Sequence, residues 1–101
     1  MTIERFRMPS NAKLAGKYTV CYADLDQNKH INNTRYPDIF ASFLPMEKKR
    51  IDSITINYLC DARLSDVLDV YVGAIGDTYY LKTVRADGKI NAEAEIHLCA
   101  I

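Results

Sequence analysis

The densest run of polar side chains in the chain, YADLDQNKHINNTRY at residues 22–36, sets carboxylates, amides and an imidazole among apolar residues. Side chains two residues apart lie on one side of an extended chain. If the chain ran straight, one side would carry Asp24, Asp26, Asn28 and His30. A bend at Asn28 and Lys29 would still leave these groups close together. A carboxylate can activate water or attack a carbonyl, and an amide or imidazole can orient water or a leaving group, so the run suits hydrolysis of an acyl group.

A helix is predicted directly after this run, because apolar side chains recur there at helical spacing over about three turns. These side chains are Tyr36, Ile39, Phe40, Phe43 and Leu44. Asn32 or Asn33 can cap the start. Pro37 fits only in the first turn, and Pro45 ends the helix. The free N–H groups and the positive dipole end of a helix start can hold a developing oxyanion. The alternative is a polar junction whose asparagines only cap the helix, and the residues by themselves leave both interpretations open.

The composition is that of an ordinary globular domain: 101 residues, of which 49% are hydrophobic and 26% are charged. It argues against disorder and fits one small domain whose modest core would gain from oligomerisation. The formal net charge is zero and the only basic cluster is EKKR at 47–50, so no nucleic-acid partner is predicted. The sequence shows neither a signal peptide nor an apolar run of membrane-spanning length, so a cytoplasmic protein without a membrane partner is expected.

Three cysteines, Cys21, Cys60 and Cys99, are an odd number at wide spacing. This pattern fits a reducing cytoplasm better than a disulfide framework, and we interpret all three as small core residues. The chain has two histidines and no close Cys/His pair, so a metal site is not predicted and no other cofactor is implied.

The remainder of the chain is predicted to be β-structure, because apolar and polar residues alternate. The predicted strands cover 17–26, 50–62, 66–77, 79–87 and 89–101, and residues 1–16 are expected to be a linker or lead-in. Asp87-Gly88 is a hairpin turn signal between the last two strands. The inward side chains of the last strand are predicted to be Ala92, Ala94, Ile96 and Leu98. A strand, a helix and four strands in a meander predict an α+β domain, with one helix on one antiparallel sheet that needs a partner at an edge or face.

The polar run resembles the Asp-Leu-Asp-x-Asn-x-His-(Val/Ile/Met)-Asn-Asn-x-x-Tyr signature of the acyl–acyl-carrier-protein (acyl-ACP) thioesterases, and more loosely the Asp-x-Asp motif of hotdog thioesterases. The stretch IDSITINYLCDARLSDVLDV at 51–70 resembles the strand that follows in this family, with its Ser-(Ile/Leu)-Thr-(Ile/Leu)-x-Tyr pattern. The likeness covers about residues 17–75. It implies a single hotdog domain over 17–101, in which an antiparallel sheet of about five strands wraps one central helix.

The resemblance also implies an activity, namely hydrolysis of fatty acyl thioesters of ACP, or of coenzyme A, to the free acid. It implies a homodimer or higher hotdog oligomer with sites at the pair interface. Asp26 falls on the family's catalytic carboxylate, and Asn28 and His30 fall on its catalytic Asn and His. Asp61 falls where plant-type members carry a Glu proposed to help catalysis. The backbone N–H near Asn33 falls where hotdog enzymes polarise the thioester carbonyl.

The chain departs from the family at a cysteine once proposed as catalytic, which falls on Ala62. Cys60 lies two residues earlier and is expected to face the other way. We therefore predict carboxylate chemistry rather than thiol chemistry. Asp24 belongs to the motif, but we expect it to be structural and to pair with nearby backbone N–H groups.

Length is the larger departure, because family members usually carry two hotdogs in one chain with the motif in the second. Residues 1–16 resemble the linker before that second hotdog, so we expect the chain to be either a truncated C-terminal half or a natural single-hotdog form. Two alternatives to a thioesterase stay open. One is a non-catalytic or incomplete hotdog half. The other is an enoyl thioester hydratase, although those enzymes have an Asp-x-Asn-Pro-x-His motif whose Pro and spacing this chain lacks.

Overall fold

The computed structural model describes residues 5–101, which form a five-stranded sheet, one short α-helix and two 3₁₀ turns. The strands are β1 (Lys13–Thr19), β2 (Lys49–Tyr58), β3 (Val67–Ile75), β4 (Thr78–Val84) and β5 (Ile90–Ala100). The helix α1 is Tyr36–Ala41, and the 3₁₀ turns are Tyr22–Asp24 and Asn33–Arg35. Within residues 5–101 no helix has the length and apolar character needed to cross a membrane. The expected α+β class is confirmed.

All neighbouring strands pair antiparallel in the order β1-β3-β4-β5-β2. Strands β3, β4 and β5 form the expected meander, and Gly88 closes the last hairpin in the left-handed conformation at φ 85°. The expectation that β2 joins this meander is wrong. The neighbouring edge of β3 is taken by β1, so β2 crosses over and pairs with β5, from Lys49 opposite Ala100 to Tyr58 opposite Ala92.

The first strand lies earlier than predicted. It begins at Lys13, inside the segment expected to be a lead-in, and it ends at Thr19 instead of continuing to residue 26. The chain turns away because the Asp24 carboxylate accepts a hydrogen bond from the Cys21 backbone N–H at 2.9 Å. A short carboxylate that binds a backbone N–H three residues before it favours a tight turn over a strand.

The helix is shorter than the three turns predicted, because its α-helical bonding ends at Ala41 rather than at Pro45. The chain keeps turning through tighter bonds, from the Phe43 N–H to the Phe40 carbonyl and from the Leu44 N–H to the Ala41 carbonyl, at 3.0 and 3.1 Å. Pro37 lies in the first turn, as its missing N–H requires.

One hydrophobic core joins the apolar face of α1 to the inner face of the sheet. The α1 side chains that enter it are Tyr36, Ile39 and Phe40. From β5 it takes Ala92, Ala94, Ile96 and Leu98, all fully buried, as their alternation predicts. The start of α1 lies against the end of β2 and the beginning of β5, because Tyr36 contacts Tyr58 and Asn91.

Glu93 lies on the outer face of β5, where alternation predicts an exposed side chain, but its carboxylate is buried. The Glu93 side chain is 3% exposed, because residues 5 and 6 lie over it. Its oxygens accept hydrogen bonds from Arg5 Nε and Nη2 at 2.6 and 3.0 Å, from Asn57 Nδ2 at 3.0 Å, and from the Phe6 N–H at 3.1 Å. Burial works to raise the pKa of Glu93, and these donors outweigh it, so the pKa lies below its ordinary value.

Candidate active site

The polar run folds into a tight loop rather than an extended strand. Leu25 and Ile31 form a β-bridge, and the Asp26 N–H donates to the His30 carbonyl at 2.9 Å. The bend lies at Lys29, which adopts the left-handed conformation at φ 64°. The loop therefore brings residues 26 and 30 opposite each other, so the expected bend is confirmed.

Asp26 is held by the backbone of its own loop. Its Oδ1 accepts hydrogen bonds from the Asn28 N–H at 2.9 Å and the His30 N–H at 3.3 Å. Among residues 5–101 the other oxygen, Oδ2, accepts no protein hydrogen bond. One carboxylate oxygen is thus fixed in place, and the second is left to accept a proton from water or to meet a substrate.

The segment after β2 delivers a second carboxylate to this loop. The Ile31 N–H donates to the Ala62 carbonyl at 3.0 Å, and His30 forms a β-bridge with Arg63. This pairing brings Asp61 Oδ2 to 3.1 Å from His30 Nε2, with both side chains a little over a third exposed. At this distance a protonated imidazole would form an ion pair with the Asp61 carboxylate.

Arginines hold Asp61 from the other side. Arg85 Nη1 donates to the Asp61 carbonyl at 3.0 Å and lies 3.6 Å from Oδ1 of its carboxylate. Arg63 Nε lies 3.5 Å from Oδ2, the same oxygen that meets His30. These contacts fix the direction in which Asp61 faces the imidazole.

A cavity of about 250 Å³ collects these groups. Its lining residues are Asp26, His30, Ile31, Asn33, Tyr36, Tyr58, Leu59, Cys60 and Asp61. Four of the five residues proposed from the sequence therefore lie around one space. The fifth, Asn28, is exposed and does not line it, and it meets Asp26 only through its backbone N–H.

The start of the helical segment supplies a backbone donor to the cavity. The Asn32 side chain caps it by accepting the Thr34 N–H at 3.0 Å. The N–H of the next residue, Asn33, donates to no acceptor within the described residues, and Asn33 lines the cavity. An unpaired N–H at the first position of a helical turn can donate to a carbonyl oxygen.

Asp24 is kept out of the cavity and organises its surroundings. It is almost fully buried, and its carboxylate accepts from the Tyr18 hydroxyl at 2.7 Å, the Cys21 N–H at 2.9 Å and Arg35 Nε at 3.2 Å. Burial works to raise the pKa of Asp24, but the Cys21, Tyr18 and Arg35 donors outweigh it and lower the pKa. Burial and, after it, the hydrogen bond to Asp24 raise the pKa of the Tyr18 hydroxyl to about 12. Asp24 therefore joins β1, the polar loop and the helix start, in agreement with the structural role expected for it.

The cysteines differ from the interpretation as core residues. Cys21 is exposed, and Cys60 and Cys99 are half-buried. Cys60 lines the cavity, whereas Ala62 is fully buried in the core, so the two residues have different surroundings, in agreement with the expectation. Strand β2 ends at Tyr58, so alternation does not determine the directions of the side chains that follow it.

Sequence reasoning also missed Tyr58 and Asn91. Tyr58 lines the cavity, and its ring meets that of Tyr36 edge-on with centroids 5.3 Å apart. Asn91 is fully buried beneath the cavity wall and donates to the Tyr36 hydroxyl at 3.0 Å. The available signal was an asparagine within an apolar, alternating strand, which requires buried partners.

A second cavity of about 550 Å³ adjoins the first and shares Cys60 and Asp61 with it. Its remaining lining residues are Arg63, Asp66, Val67, Arg85, Ala86, Asp87 and Lys89. It is larger than the first cavity, but it contains neither Asp26 nor His30. Within the described residues no three His, Cys, Asp or Glu side chains converge as metal ligands would.

Solved structures of thioesterases share this fold. An acyl-ACP thioesterase from Bacteroides thetaiotaomicron superposes with a TM-score of 0.84 at 19% identity, over 98% of this chain and 42% of that chain. A hypothetical protein from Staphylococcus aureus, solved in complex with CoA, superposes with a TM-score of 0.77 at 20% identity, over 88% of this chain and 77% of that chain. A DHNA-CoA thioesterase from the same organism superposes with a TM-score of 0.77 at 15% identity, over 89% of this chain and 74% of that chain. These likenesses show that the fold is a hotdog.

This chain spans less than half of the Bacteroides enzyme that it matches. A search of curated proteins finds no match to this chain. The family model of the acyl-ACP thioesterase C-terminal domain matches residues 8–98. This match covers nearly the whole chain and includes both resembling stretches and the cavity they build. The chain therefore belongs to the acyl-ACP thioesterase family, a family of thioester hydrolases.

Proposed function

We propose that this domain hydrolyses fatty acyl thioesters of ACP, or of CoA, to the free acid and the free thiol. The observation that carries the proposal is the convergence on one cavity of the Asp26 carboxylate, the His30–Asp61 pair and the Asn33 N–H. A general base, a proton carrier and an oxyanion donor are the groups that acyl transfer to water requires.

In the proposed reaction a water molecule attacks the thioester carbonyl carbon. Asp26 Oδ2 accepts a proton from that water as the new C–O bond forms. The Asn33 N–H donates to the carbonyl oxygen, which gains negative charge in the tetrahedral intermediate. When the intermediate collapses, the C–S bond breaks, the departing sulfur takes a proton from His30, and the carboxylic acid is released. The proton held by Asp26 then passes through water to His30, which restores both groups.

His30 is proposed to supply a proton to the departing sulfur. Asp61 holds the ring through Nε2 and stabilises the positive charge that the imidazolium carries. Asp61 is thus proposed to perform the supporting role of the glutamate of plant-type members, and Arg85 contacts its backbone carbonyl and its carboxylate. Asn28 is proposed to position Asp26, with its backbone N–H as the contact.

The domain is proposed to act as a homodimer. Among residues 5–101 the only strand that pairs with β2 is β5, on one side, and an open strand edge is a ready surface for pairing with another chain. Tyr58 ends this edge strand, lines the cavity and is 44% exposed. A second copy pairing along β2 would cover this open side of the cavity and exclude water from the acyl chain. Light scattering at several protein concentrations measures the mass of the particle in solution and so distinguishes a monomer from the proposed homodimer.

The test of the proposed activity compares acyl-ACP with acyl-CoA substrates of several chain lengths, with thiol release followed by a chromogenic disulfide. We expect turnover by the wild type, and a loss of at least about 100-fold in kcat for Asp26→Asn, because general-base catalysis contributes about 10²–10⁴. Asp77→Asn, which changes an exposed carboxylate in the β3–β4 turn, is the matched control and keeps full activity. Absence of hydrolysis of every thioester by the wild type, or full activity of Asp26→Asn, refutes the proposal.

The second candidate is a hotdog half that binds an acyl chain but needs another domain for turnover. The observation that favours it is the match to only 42% of the Bacteroides enzyme. Saturable binding of a non-hydrolysable acyl thioether without any turnover of the thioester supports this candidate. Turnover by the isolated domain rejects it.

A further inference from the structure

Asn91 occupies an irregular position in β5, directly under the proposed site. Opposite β4, Thr83 pairs with Ala92 and Val84 pairs with Ile90, so Asn91 is the extra residue of a β-bulge. By strict alternation its side chain would lie on the outer face with Glu93. The bulge turns it inward instead, and it is fully buried. Bulges of this kind redirect a side chain and are enriched next to active sites.

The Asn91 side chain makes three hydrogen bonds, of which two are buried and one is partly buried. Its Nδ2 donates to the Cys60 carbonyl at 2.6 Å and to the Tyr36 hydroxyl at 3.0 Å. Its Oδ1 accepts from the Thr83 hydroxyl at 2.8 Å, which determines the orientation of the amide. Its backbone carbonyl accepts two further bonds, from the Leu59 and Cys60 N–H groups, both at 3.0 Å.

These partners belong to opposite walls of the cavity. Tyr36 begins α1, three residues after Asn33, whereas Cys60 immediately precedes Asp61. One buried amide therefore spans the helix wall and the wall that carries the second carboxylate. No other side chain among residues 5–101 has hydrogen bonds to both of these walls. A fully satisfied buried polar network rigidifies its members, and removal of one member leaves the others unpaired.

We propose that Asn91 is a positioning residue for thioester hydrolysis, because it sets the separation between the helix wall and the Cys60–Asp61 wall. The inference rests on the proposed function. Asn91 does not line the cavity, so it acts through Tyr36 and Cys60. Through Cys60 it fixes where Asp61 and its partner His30 stand relative to Asp26 and the Asn33 N–H.

The main test is Asn91→Ala, measured for kcat and KM with the preferred thioester. A misplacement of about 1 Å in a catalytic group costs about 100-fold, so we expect kcat to fall about 10- to 100-fold while KM changes less than about threefold. Val70→Ala is the control, because Val70 is fully buried in β3 and does not line the cavity. It lowers the melting temperature and leaves kcat per folded molecule unchanged. Equal kcat in the two variants overturns the proposal.

Thr83→Val is the second variant, for the case in which Asn91→Ala does not fold. It preserves the side-chain shape and removes only the hydroxyl that orients the Asn91 amide. We expect a smaller fall in kcat, about 3- to 10-fold, again with KM nearly unchanged. A kcat for Thr83→Val equal to that of Val70→Ala counts against the proposal.

A readout that needs no activity separates this inference from the proposed function. Amide resonances of Leu59, Cys60 and Asp61 in ¹⁵N spectra are expected to shift and broaden in Asn91→Ala and Thr83→Val, but not in Val70→Ala. If the wild type does not hydrolyse thioesters, the proposed function fails. These spectra still test whether Asn91 holds the Cys60–Asp61 wall in position relative to the helix wall. Unchanged resonances in both network variants show that Asn91 does not hold the wall.

Discussion

The clearest quantitative prediction concerns Asp24, whose side chain is 2% exposed and forms the junction of three elements. The substitution Asp24→Ala removes the acceptor of the Tyr18 hydroxyl and the Cys21 N–H, and the counter-charge of Arg35. Asp24→Asn keeps one oxygen, which can still accept from Tyr18 and Cys21, since both contacts are made by Oδ2. It places an NH₂ group opposite Arg35, so that this contact alone is lost.

The magnitudes follow from how exposed each partner is. Removal of one member of a buried charged pair costs about 3–5 kcal/mol. Arg35 is 39% exposed and Cys21 lies at the surface, so water replaces part of what both lose. We therefore expect Asp24→Ala to lower the free energy of unfolding by about 3 kcal/mol, the low end of that range. We expect about 1 kcal/mol for Asp24→Asn, the value of a partly exposed ion pair.

Urea unfolding followed by circular dichroism measures both values, and thermal unfolding gives a second estimate. A loss of 1 kcal/mol lowers Tm by about 4–8 °C in a domain of this size, so Asp24→Ala should lower it by more than about 10 °C. Asp38→Ala is the control, because Asp38 pairs with the same arginine and is 73% exposed. A loss below about 1 kcal/mol for Asp24→Ala would refute the reasoning. Equal losses for the two Asp24 variants would show that charge, rather than hydrogen bonding, dominates.

The pH dependence provides an independent check. The pKa of Asp24 is lower in the folded chain than its ordinary value, because its three donors outweigh burial. Such a group contributes stability above the unfolded pKa of about 3.9, and this contribution is lost as the pH falls through the lower folded pKa. Wild-type stability should therefore fall more steeply below about pH 4 than that of Asp24→Asn. Parallel curves for the two proteins contradict this assignment.

Two further predictions concern the proposed site and the outer face. His30→Gln should lower kcat about 10²–10⁴-fold with little change in KM. The substitution removes the proton carrier but leaves the backbone N–H that holds Asp26. An unchanged rate of thiol release rejects the role of His30. Glu93→Ala should speed tryptic cleavage after Arg7 several-fold, since the carboxylate holds Arg5 and the Phe6 N–H, whereas Glu95→Ala should not. The pKa of Glu93 is lower than its ordinary value, so the contact of Glu93 with Arg5 and the Phe6 N–H should weaken as the pH falls through that lower value. Equal cleavage rates for Glu93→Ala and Glu95→Ala would show that Glu93 does not hold this segment.

Local patterns in the sequence determined much of this domain. Alternation identified the inward side chains of β5, and helical spacing identified the buried face of α1. The Asp87-Gly88 pair located the last hairpin. The polar run contains the groups that hydrolysis of an acyl group requires, because a carboxylate, amides and an imidazole lie within a few residues of one another. Each of these features depends on neighbours in the chain, which a sequence displays directly.

Tertiary structure decided the rest, because the deciding contacts join residues far apart in the chain. Asp61 reaches His30 only because the segment after β2 pairs with the polar loop. Asp24 leaves the row of polar groups because its carboxylate binds a backbone N–H and closes a turn. Asn91 turns inward because one extra residue in β5 interrupts its alternation. Pairing register and bulges depend on both strands at once, so local periodicity predicts the groups available for chemistry and the fold determines which of them meet.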